Sequence, residues 1–216
     1  LMHQYGTNGF RIYRLPVPKK GLVTGILGPN GIGKTTSIKL LSGDEVPNFG
    51  EYDNPPSKEQ VLDRLSGTEL GDYLTKVYAG KVRTALKPQY VDKLPKVAKG
   101  VVRDLLSKVA ERMTPDEAAE LLDLHEVIDR PLDKLSGGEL QRVAIAASLL
   151  KDADTYFFDE PSSYLDIYQR IKVARLIQSL AAEKQVVVIE HDLAILDFLA
   201  DNAYLVYGSE GAYGIF

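Results

Sequence analysis

The sequence contains no cysteine and no tryptophan, and only two of its 216 residues are methionine. The lack of cysteine excludes disulfide bonds, thiolate metal sites and cysteine nucleophiles. Long apolar runs are also lacking, since runs such as Val186–Ile189 fall far short of the roughly 20 apolar residues that a membrane-spanning helix needs. We therefore expect no membrane span, and any activity must come from groups other than thiols.

Length and composition are those of an ordinary globular chain. Apolar residues make up 44% and charged residues 26%, and the chain has 12 Tyr and 6 Phe, too many aromatics for a disordered acidic segment. At about 100 to 200 residues per domain, the chain forms one sizeable core with room for a small lobe. The net charge of −4 argues against broad affinity for nucleic acids. Short β-rich runs, among them Thr155–Phe158 and Gln185–Ile189, alternate with helical patterns, which favours a mostly parallel sheet.

A glycine-rich segment near the start has the pattern of a phosphate-binding loop. Gly28–Thr35 fits G-x-x-x-x-G-K-[ST], between the apolar run Leu22–Leu27 and a helix-compatible stretch. The glycines allow backbone N–H groups to close around phosphate oxygens, and the helix N-terminus adds positive potential. This pattern predicts that Lys34 reaches the β and γ phosphates and that the hydroxyl of Thr35 is a ligand of Mg²⁺.

Two adjacent carboxylates follow a second apolar run. Thr155–Phe158 reads as a strand that ends in Asp159 and Glu160. On its own such a pair is more often a turn or a helix cap, but next to a phosphate loop a catalytic role is favoured. We expect Asp159 to hold Mg²⁺ and Glu160 to orient or deprotonate a water molecule.

A second anion site is expected at the start of a later helix. Leu135–Arg142 reads LSGGELQR, in which Ser136 and Glu139 form a capping box and the glycines expose helix N–H groups. Thr114–Glu117 is a further capping box. One nucleotide does not need two phosphate sites in one chain. The second site therefore indicates a composite site, which grips a nucleotide held by a facing module.

The middle of the chain contains an insertion and a basic stretch. After Pro55–Pro56, two helical patterns at Lys58–Leu65 and Glu69–Tyr78 flank Ser66–Gly67, which predicts a helix–loop–helix. Residues 76–99 carry seven Lys or Arg against Asp92 alone. This stretch is either a solvated lysine-rich surface or a patch that faces an anionic partner such as RNA.

Taken together, the motifs resemble those of the ATP-binding-cassette (ABC) ATPases, whose signature motif is L-S-G-G-x-Q or a close variant. The resemblance covers the whole chain and implies an α/β P-loop NTPase fold of the ABC type. It implies a mostly parallel central sheet, a small antiparallel β lobe, a helical subdomain over about 97–150 and the insertion over about 55–80. Residues 1–216 are expected to form a single nucleotide-binding domain.

Within that family the details are similar to the first nucleotide-binding domain of subfamily E, the ribosome-recycling factors or RNase L inhibitors. The matching stretches are Tyr5–Phe10, Arg14–Pro16, Lys87–Asp92, Asp159–Asp166 (DEPSSYLD) and the end segment Leu196–Gly208. In this subfamily a cysteine-rich domain precedes the cassette, and a hinge and second cassette follow it. We therefore expect the chain to be one part of a longer polypeptide.

The resemblance assigns ATP and Mg²⁺ as cofactors and gives the site residues their roles. The expected nucleotide-binding residues are Tyr5 and Phe10 at the adenine, with Asn30, Gly31, Gly33, Lys34, Thr35 and Thr36 at the phosphates. The expected metal ligands are Thr35, Gln89 and Asp159, and the expected catalytic residues are Lys34, Gln89, Glu160 and His191. The trans signature consists of Ser136, Gly137, Gly138 and Glu139, and the D-loop contains Ser162, Ser163, Leu165 and Asp166.

The resemblance also implies partners and a function in the cytoplasm. These partners are a second nucleotide-binding domain and the small ribosomal subunit, whose RNA the 55–80 insertion contacts, with no membrane partner. Many members have arginine at the position of Ser66, which weakens the case for a phosphate contact there. The expected function is ATP hydrolysis that splits or recycles ribosomal subunits. Alternatives are the ATPase subunit of a membrane transporter and a non-enzymatic, nucleotide-sensing assembly factor.

Overall fold

The structure is a computed structural model that describes residues 1–216. The strands are β1 (His3–Gln4), β2 (Arg11–Tyr13), β3 (Val23–Leu27), β4 (Thr84–Lys87), β5 (Thr155–Asp159), β6 (Gln185–Ile189), β7 (Asn202–Leu205), β8 (Tyr207–Ser209) and β9 (Tyr213–Ile215). The helices are α1 (Lys34–Ser42), α2 (Lys58–Arg64), α3 (Glu69–Tyr78), α4 (Leu94–Val97), α5 (Val102–Val109), α6 (Pro115–Leu121), α7 (Gly137–Leu150), α8 (Ile167–Ala181) and α9 (Leu193–Leu199).

Five parallel strands form the central sheet in the order β4-β5-β6-β3-β7. Its middle strands read as unbroken apolar runs because both faces are covered, as is usual for parallel sheets. In β5 the side chains of Tyr156 and Phe158 join a core of 28 buried residues on one face. Phe157 points the other way, into a core of 15 buried residues. The sheet is thus packed on both faces, which confirms the expected α/β architecture.

The carboxyl ends of the parallel strands meet at one edge of the sheet. The phosphate loop follows β3, Gln89 lies just after β4, Glu160 follows β5 and His191 lies just after β6. Strands β4, β5 and β6 are neighbours, so residues far apart in the sequence become adjacent. Ligands of open α/β sheets bind at this edge, outside the carboxyl ends of the strands.

A second sheet forms a small lobe with strand order β1-β2-β9-β8. The pairs β1–β2 and β8–β9 are antiparallel, as expected, but β2 and β9 pair in parallel, with Arg11 opposite Tyr213. The lobe is therefore mixed rather than purely antiparallel. It brings the beginning and the end of the chain together beside the phosphate loop.

The helix–loop–helix consists of α2 and α3, whose bounds match the sequence prediction to within one residue. Ser57 begins α2 with a capping box, and the hydroxyl of Thr68 caps α3. The pair is anchored on α1, because the hydroxyl of Tyr73 donates to the carbonyl oxygen of Leu41 at 3.0 Å and Leu74 is fully buried. The capping boxes predicted at the starts of α6 and α7 are confirmed. No helix in the molecule combines the length and apolar character that a membrane crossing requires.

Candidate functional site

A cleft of about 360 Å³ opens at the carboxyl edge of the central sheet. It is lined by Tyr5, Phe10, Asn30, Gly31, Gly33, Lys34, Thr35, Thr36, Gln89, Tyr90, Asp159 and Glu160. All eight residues predicted to bind nucleotide are in this lining. Tyr90 also lines the cleft, although in the sequence it stands out only as part of the matching stretch Lys87–Asp92.

The phosphate loop is held open by left-handed glycines. Gly31 and Gly33 have φ of 70° and 93°, values that favour glycine because a side chain would be strained there. A Cβ atom at Gly33 would also lie 2.6 Å from Cε1 of Phe10. Packing of the Phe10 ring against the loop therefore requires glycine at this position.

Lys34 lies inside the loop rather than extended toward solvent. Its Nζ donates to the carbonyl oxygens of Gly28 and Pro29 at 2.6 and 2.5 Å, and the residue is 6% exposed. Burial lowers the pKa of Lys34, while the nearby carboxylates of Glu160 and Asp159 act in the opposite direction. An ammonium group partly removed from water and next to the loop is suited to accept a phosphate oxygen as its new partner.

Thr35 and Asp159 meet at the floor of the cleft. The hydroxyl of Thr35 donates to Oδ2 of Asp159 at 2.9 Å, and Asp159 is buried. Burial raises the pKa of Asp159, and the hydrogen bond from Thr35 partly offsets that effect. A hydroxyl oxygen and a carboxylate oxygen therefore lie side by side below the phosphate loop.

Glu160 contacts two of the other three predicted catalytic residues, Gln89 and His191. Its Oε1 accepts from Nε2 of Gln89 at 2.8 Å and lies 2.5 Å from Nε2 of His191. The hydroxyl of Ser163 lies 3.4 Å from the second oxygen. Gln89 therefore contacts Glu160 in this structure, and its side chain makes no hydrogen bond to Thr35 or Asp159.

Lys87 corrects the interpretation of the basic stretch, in which it was counted as a surface charge. The side chain is fully buried, and its Nζ donates to the carbonyl oxygens of Asp159 and Glu160 at 2.8 and 3.3 Å. Burial lowers the pKa of Lys87 to about 8. The burial of Lys87 could have been inferred from the alternation of side chains along a strand, because Lys87 lies two residues after the buried Ala85 and shares its face.

Two further buried polar residues at the site were missed by sequence reasoning. Gln141 donates from Nε2 to the carbonyl oxygen of Glu160 at 2.7 Å. Glu190 accepts hydrogen bonds from the backbone N–H groups of Ser162 at 2.8 Å and His191 at 3.3 Å. Burial raises the pKa of Glu190. Neither residue stands out locally, since Gln141 lies close to the charged residues Glu139 and Arg142 and Glu190 precedes the more conspicuous His191.

The predicted trans-signature segment lies on open surface, outside the cleft. Ser136 is exposed, and its hydroxyl accepts from the N–H of Glu139 while the Glu139 carboxylate accepts from the N–H of Ser136 at 2.7 Å. A Cβ at Gly137 would lie 3.2 Å from Cδ1 of Tyr164, and one at Gly138 would lie 3.0 Å from the Tyr164 carbonyl oxygen. The glycines thus let the segment pack against the D-loop while its N-terminal end stays accessible.

The D-loop residues differ in their surroundings. Ser162 and Leu165 are buried, and Ser163 is half-buried next to Glu160. Asp166 is exposed and caps α8 by accepting from the N–H of Gln169 at 2.8 Å. Asp166 therefore stabilises the start of α8 within the chain. Its exposed position also leaves it free to contact a facing domain.

Tyr5 forms the outer wall of the cleft and is 42% exposed. Its hydroxyl hydrogen-bonds to Glu45, and its ring meets His3 edge to face with ring centroids 4.6 Å apart. Burial, aided by the bond to Glu45, raises the pKa of Tyr5 to about 12. The residue stays neutral at physiological pH and presents an aromatic surface at the mouth of the cleft.

The fold and the phosphate loop define the class of protein. The family model described as ABC transporter matches residues 18–163. The chain therefore belongs to the ATP-binding-cassette family, and it is an ABC ATPase domain in fold. Membership of this family implies nucleotide binding.

Comparison with individual proteins shows which members of the family the chain is similar to. The chain is 51% identical over 215 residues to an uncharacterized ABC transporter ATP-binding protein of Methanocaldococcus jannaschii, covering 100% of the chain and 35% of that protein. It is 43% identical over 219 residues to translation initiation factor RLI1 of Saccharomyces cerevisiae, covering 99% and 36%. A solved archaeal ribosome recycling factor, in complex with the archaeal ribosomal stalk protein aP1, matches with a TM-score of 0.93 at 51% identity, covering 100% and 41%.

These matches confirm the resemblance to the ribosome-recycling subfamily. The chain spans about a third of the length of the curated relatives it matches, at 35% and 36%.

Proposed function

We propose that the chain binds Mg²⁺-ATP in the cleft and hydrolyses it as one half of a composite site. The observation that carries this proposal is the separation of its two anion-binding segments. The phosphate loop lines the cleft, whereas the segment around Ser136 lies on open surface outside it. A facing cassette would supply the signature segment to this nucleotide, and Ser136 would contact the nucleotide of that partner.

Binding of the triphosphate uses the loop and its lysine. The N–H groups of the loop and the start of α1 offer positive potential to the phosphates, and Lys34 would exchange its carbonyl partners for phosphate oxygens. Tyr5 and Phe10 border the cleft on the side of the β lobe. Their rings would stack against or border the adenine.

The donor set at the cleft floor fits Mg²⁺. This ion prefers oxygen ligands, usually one or two protein groups together with phosphate oxygens and water. The oxygens of Thr35 and Asp159, which are 2.9 Å apart, would hold it, with Gln89 as a further oxygen ligand once its side chain leaves Glu160. The ion would supply charge stabilisation for the phosphates.

Hydrolysis would rely on Glu160 and His191. Glu160 would accept a proton from the attacking water, and its contact with His191 fixes the direction of the carboxylate. His191, which contacts Glu160 but is not itself in the lining of the cleft, would face the γ-phosphate. Catalysis of this kind consists mainly of positioning and charge stabilisation.

The polypeptide that contains this cassette is proposed to act on ribosomes in the cytoplasm, as the first of two cassettes. Support comes from the ribosome recycling factor and the translation initiation factor among the matched proteins. Further support is the loop Leu65–Glu69 after α2, which is exposed from Ser66 to Glu69 and would contact the small-subunit RNA. This helix pair has four acidic and three basic side chains, so the contact would depend on RNA shape rather than on charge.

Sedimentation tests this function. The full-length protein is mixed with small ribosomal subunits, and co-sedimentation is compared without nucleotide and with a non-hydrolysable ATP analogue. We expect binding that increases with the analogue. At an analogue concentration near the wild-type Kd, this increase should be lost in the variant Lys34→Met. Ribosome binding that is the same with and without nucleotide would overturn the ribosomal function. Recovery of the protein with membrane components would also overturn it and would favour a transporter subunit.

A further inference from the structure

Glu160 has an unusual backbone conformation. Its φ is 50°, and only five non-glycine residues in the chain have positive φ. Such a conformation is strained for a residue with a side chain and persists only where the surroundings hold it. The orientation of the Glu160 carboxylate therefore depends on the contacts made by its own peptide groups.

Four groups hold the N–H and the carbonyl oxygen of Glu160. The N–H of Glu160 donates to the carbonyl oxygen of Ile189 at 2.9 Å. Its own carbonyl oxygen accepts from Nε2 of Gln141 at 2.7 Å and, at 3.3 Å each, from Nζ of Lys87 and the N–H of Ser163. Lys87 makes its shorter bond, 2.8 Å, to the preceding residue, Asp159. Gln141 is thus the closest donor to the Glu160 carbonyl.

The cost of burying Gln141 argues that it is not there for packing alone. The residue is fully buried in α7, between Leu140 and Arg142, and its Oε1 has no hydrogen-bond partner. A buried acceptor without a partner lowers stability, whereas an apolar side chain of similar shape would not. Methionine would fill the same space without an orphaned oxygen.

The position of Gln141 in α7 connects two parts of the molecule. Helix α7 begins directly after Ser136, and Gln141 follows that residue by five positions. At 1.5 Å per residue this is roughly 7 Å along the helix axis. The start of the helix therefore carries the surface signature segment, and the next turn holds the backbone of Glu160.

We propose that Gln141 is a positioning residue for Glu160, through which the position of the signature helix controls the carboxylate of the same cassette. This inference rests on the proposed role of Glu160 in hydrolysis. A partner that engages Ser136 and shifts α7 would move the amide of Gln141, and with it the strained peptide of Glu160. Each composite site would then sense occupancy of the other through one side chain.

The first test replaces the amide without changing the volume. Gln141→Met in the full-length protein is compared with Gln178→Met, because Gln178 makes an equally short bond to a backbone carbonyl, that of Phe198, on exposed surface. We expect Gln141→Met to lower kcat by roughly 10- to 100-fold, the effect of a small misplacement of a catalytic group. The KM for ATP, the affinity for an ATP analogue and the melting temperature should not worsen. Gln178→Met should leave kcat unchanged.

A double-mutant comparison separates positioning from a general structural effect. Gln141→Met is introduced into Glu160→Asp, in which the carboxylate is already displaced but still present. If Gln141 acts through Glu160, its substitution lowers kcat less in this background than in the wild type, because the two changes are coupled. An equal loss in both backgrounds, or a Gln141→Met variant with wild-type kcat, overturns the inference. A wild-type kcat for Glu160→Asp itself would instead overturn the proposed role of Glu160.

Discussion

Gln89 and His191 both contact the same oxygen of Glu160, at 2.8 and 2.5 Å. They follow β4 and β6, the two strands that flank β5 in the sheet. The side chains are 102 positions apart in the sequence, and the strand order alone makes them neighbours. A carboxylate gripped in this way has a defined direction, which a general base needs before its water arrives.

Glu160→Gln should separate nucleotide binding from turnover. The amide keeps the size of the side chain but is a poor proton acceptor, so we expect ATPase activity of the full-length protein to fall by about 10²- to 10⁴-fold. Affinity for an ATP analogue should stay within a factor of about two, because the phosphate loop is untouched. Steady-state ATPase assays and equilibrium binding check this. Glu126→Gln, an exposed residue, is the control, and loss of binding in Glu160→Gln would contradict the assignment.

Lys34→Met should weaken ATP binding with little change in stability. Charge-assisted hydrogen bonds contribute about 1.5–3 kcal/mol each, so one lost phosphate contact should reduce affinity roughly 10- to 100-fold. Replacing the ammonium by an apolar chain relieves the cost of burying a charge but leaves the carbonyl oxygens of Gly28 and Pro29 without this donor. These two effects oppose each other, so the melting temperature without ligand should change by only a few degrees. Calorimetric titration and thermal unfolding measure the two effects. Lys108→Met, at an exposed position of α5, should change neither.

Features carried by local spacing were predictable from the sequence. The phosphate loop, the strands β5 and β6, the helices α2 and α3 and the capping box at Ser136 all follow from motifs or periodicity within about ten residues, and the structure confirms these elements. The parallel pairing of Arg11 with Tyr213 was not predictable in this way. Two short strands at opposite ends of a chain contain no local pattern that indicates which other strand each of them pairs with.

The buried polar residues at the site were also not predictable from the sequence. Lys87 is one of seven basic residues in a stretch that composition predicts to be exposed, and no motif in the sequence singles out Gln141. Both side chains are fully buried because their partners are backbone carbonyls of Asp159 and Glu160, some 20 to 70 residues away. A sequence displays the charge of a side chain but not the carbonyl oxygen that satisfies it, so such residues are found only from the fold.

Tyr5 should contribute to nucleotide affinity through its ring and not through its hydroxyl. The hydroxyl already hydrogen-bonds to Glu45, and the ring borders the cleft. Aromatic pairs contribute about 0.5–1.5 kcal/mol beyond burial of their area, so Tyr5→Ala should weaken ATP binding roughly 2- to 10-fold. Tyr5→Phe keeps the ring and should bind normally. Competition between ATP and GTP measures base contacts directly, and equal losses in the two variants would show that the hydroxyl, not the ring, is used.

Ser136→Ala and Thr114→Ala form a matched pair that isolates the composite site. Both residues begin a helix with a capping box, Ser136 with Glu139 and Thr114 with Glu117. Each variant should therefore lose about 1 kcal/mol of stability through its cap. Only Ser136 belongs to the signature segment, so only Ser136→Ala should lower ATPase activity of the full-length protein, by roughly 10- to 100-fold for the loss of one charge-assisted phosphate contact.

Ser136→Ala and Thr114→Ala should lose the same stability, so stability cannot explain a difference in their ATPase activity. Because chemical denaturation would report the same cost for both caps, any difference in turnover between them must come from the position of Ser136 at the interface. The isolated cassette should bind ATP equally well in both variants, since its own cleft contains neither residue. Hydrolysis by the isolated cassette should be slow and should rise with protein concentration. Rapid turnover that is independent of concentration and insensitive to Ser136→Ala would show that the cleft is complete without a facing partner.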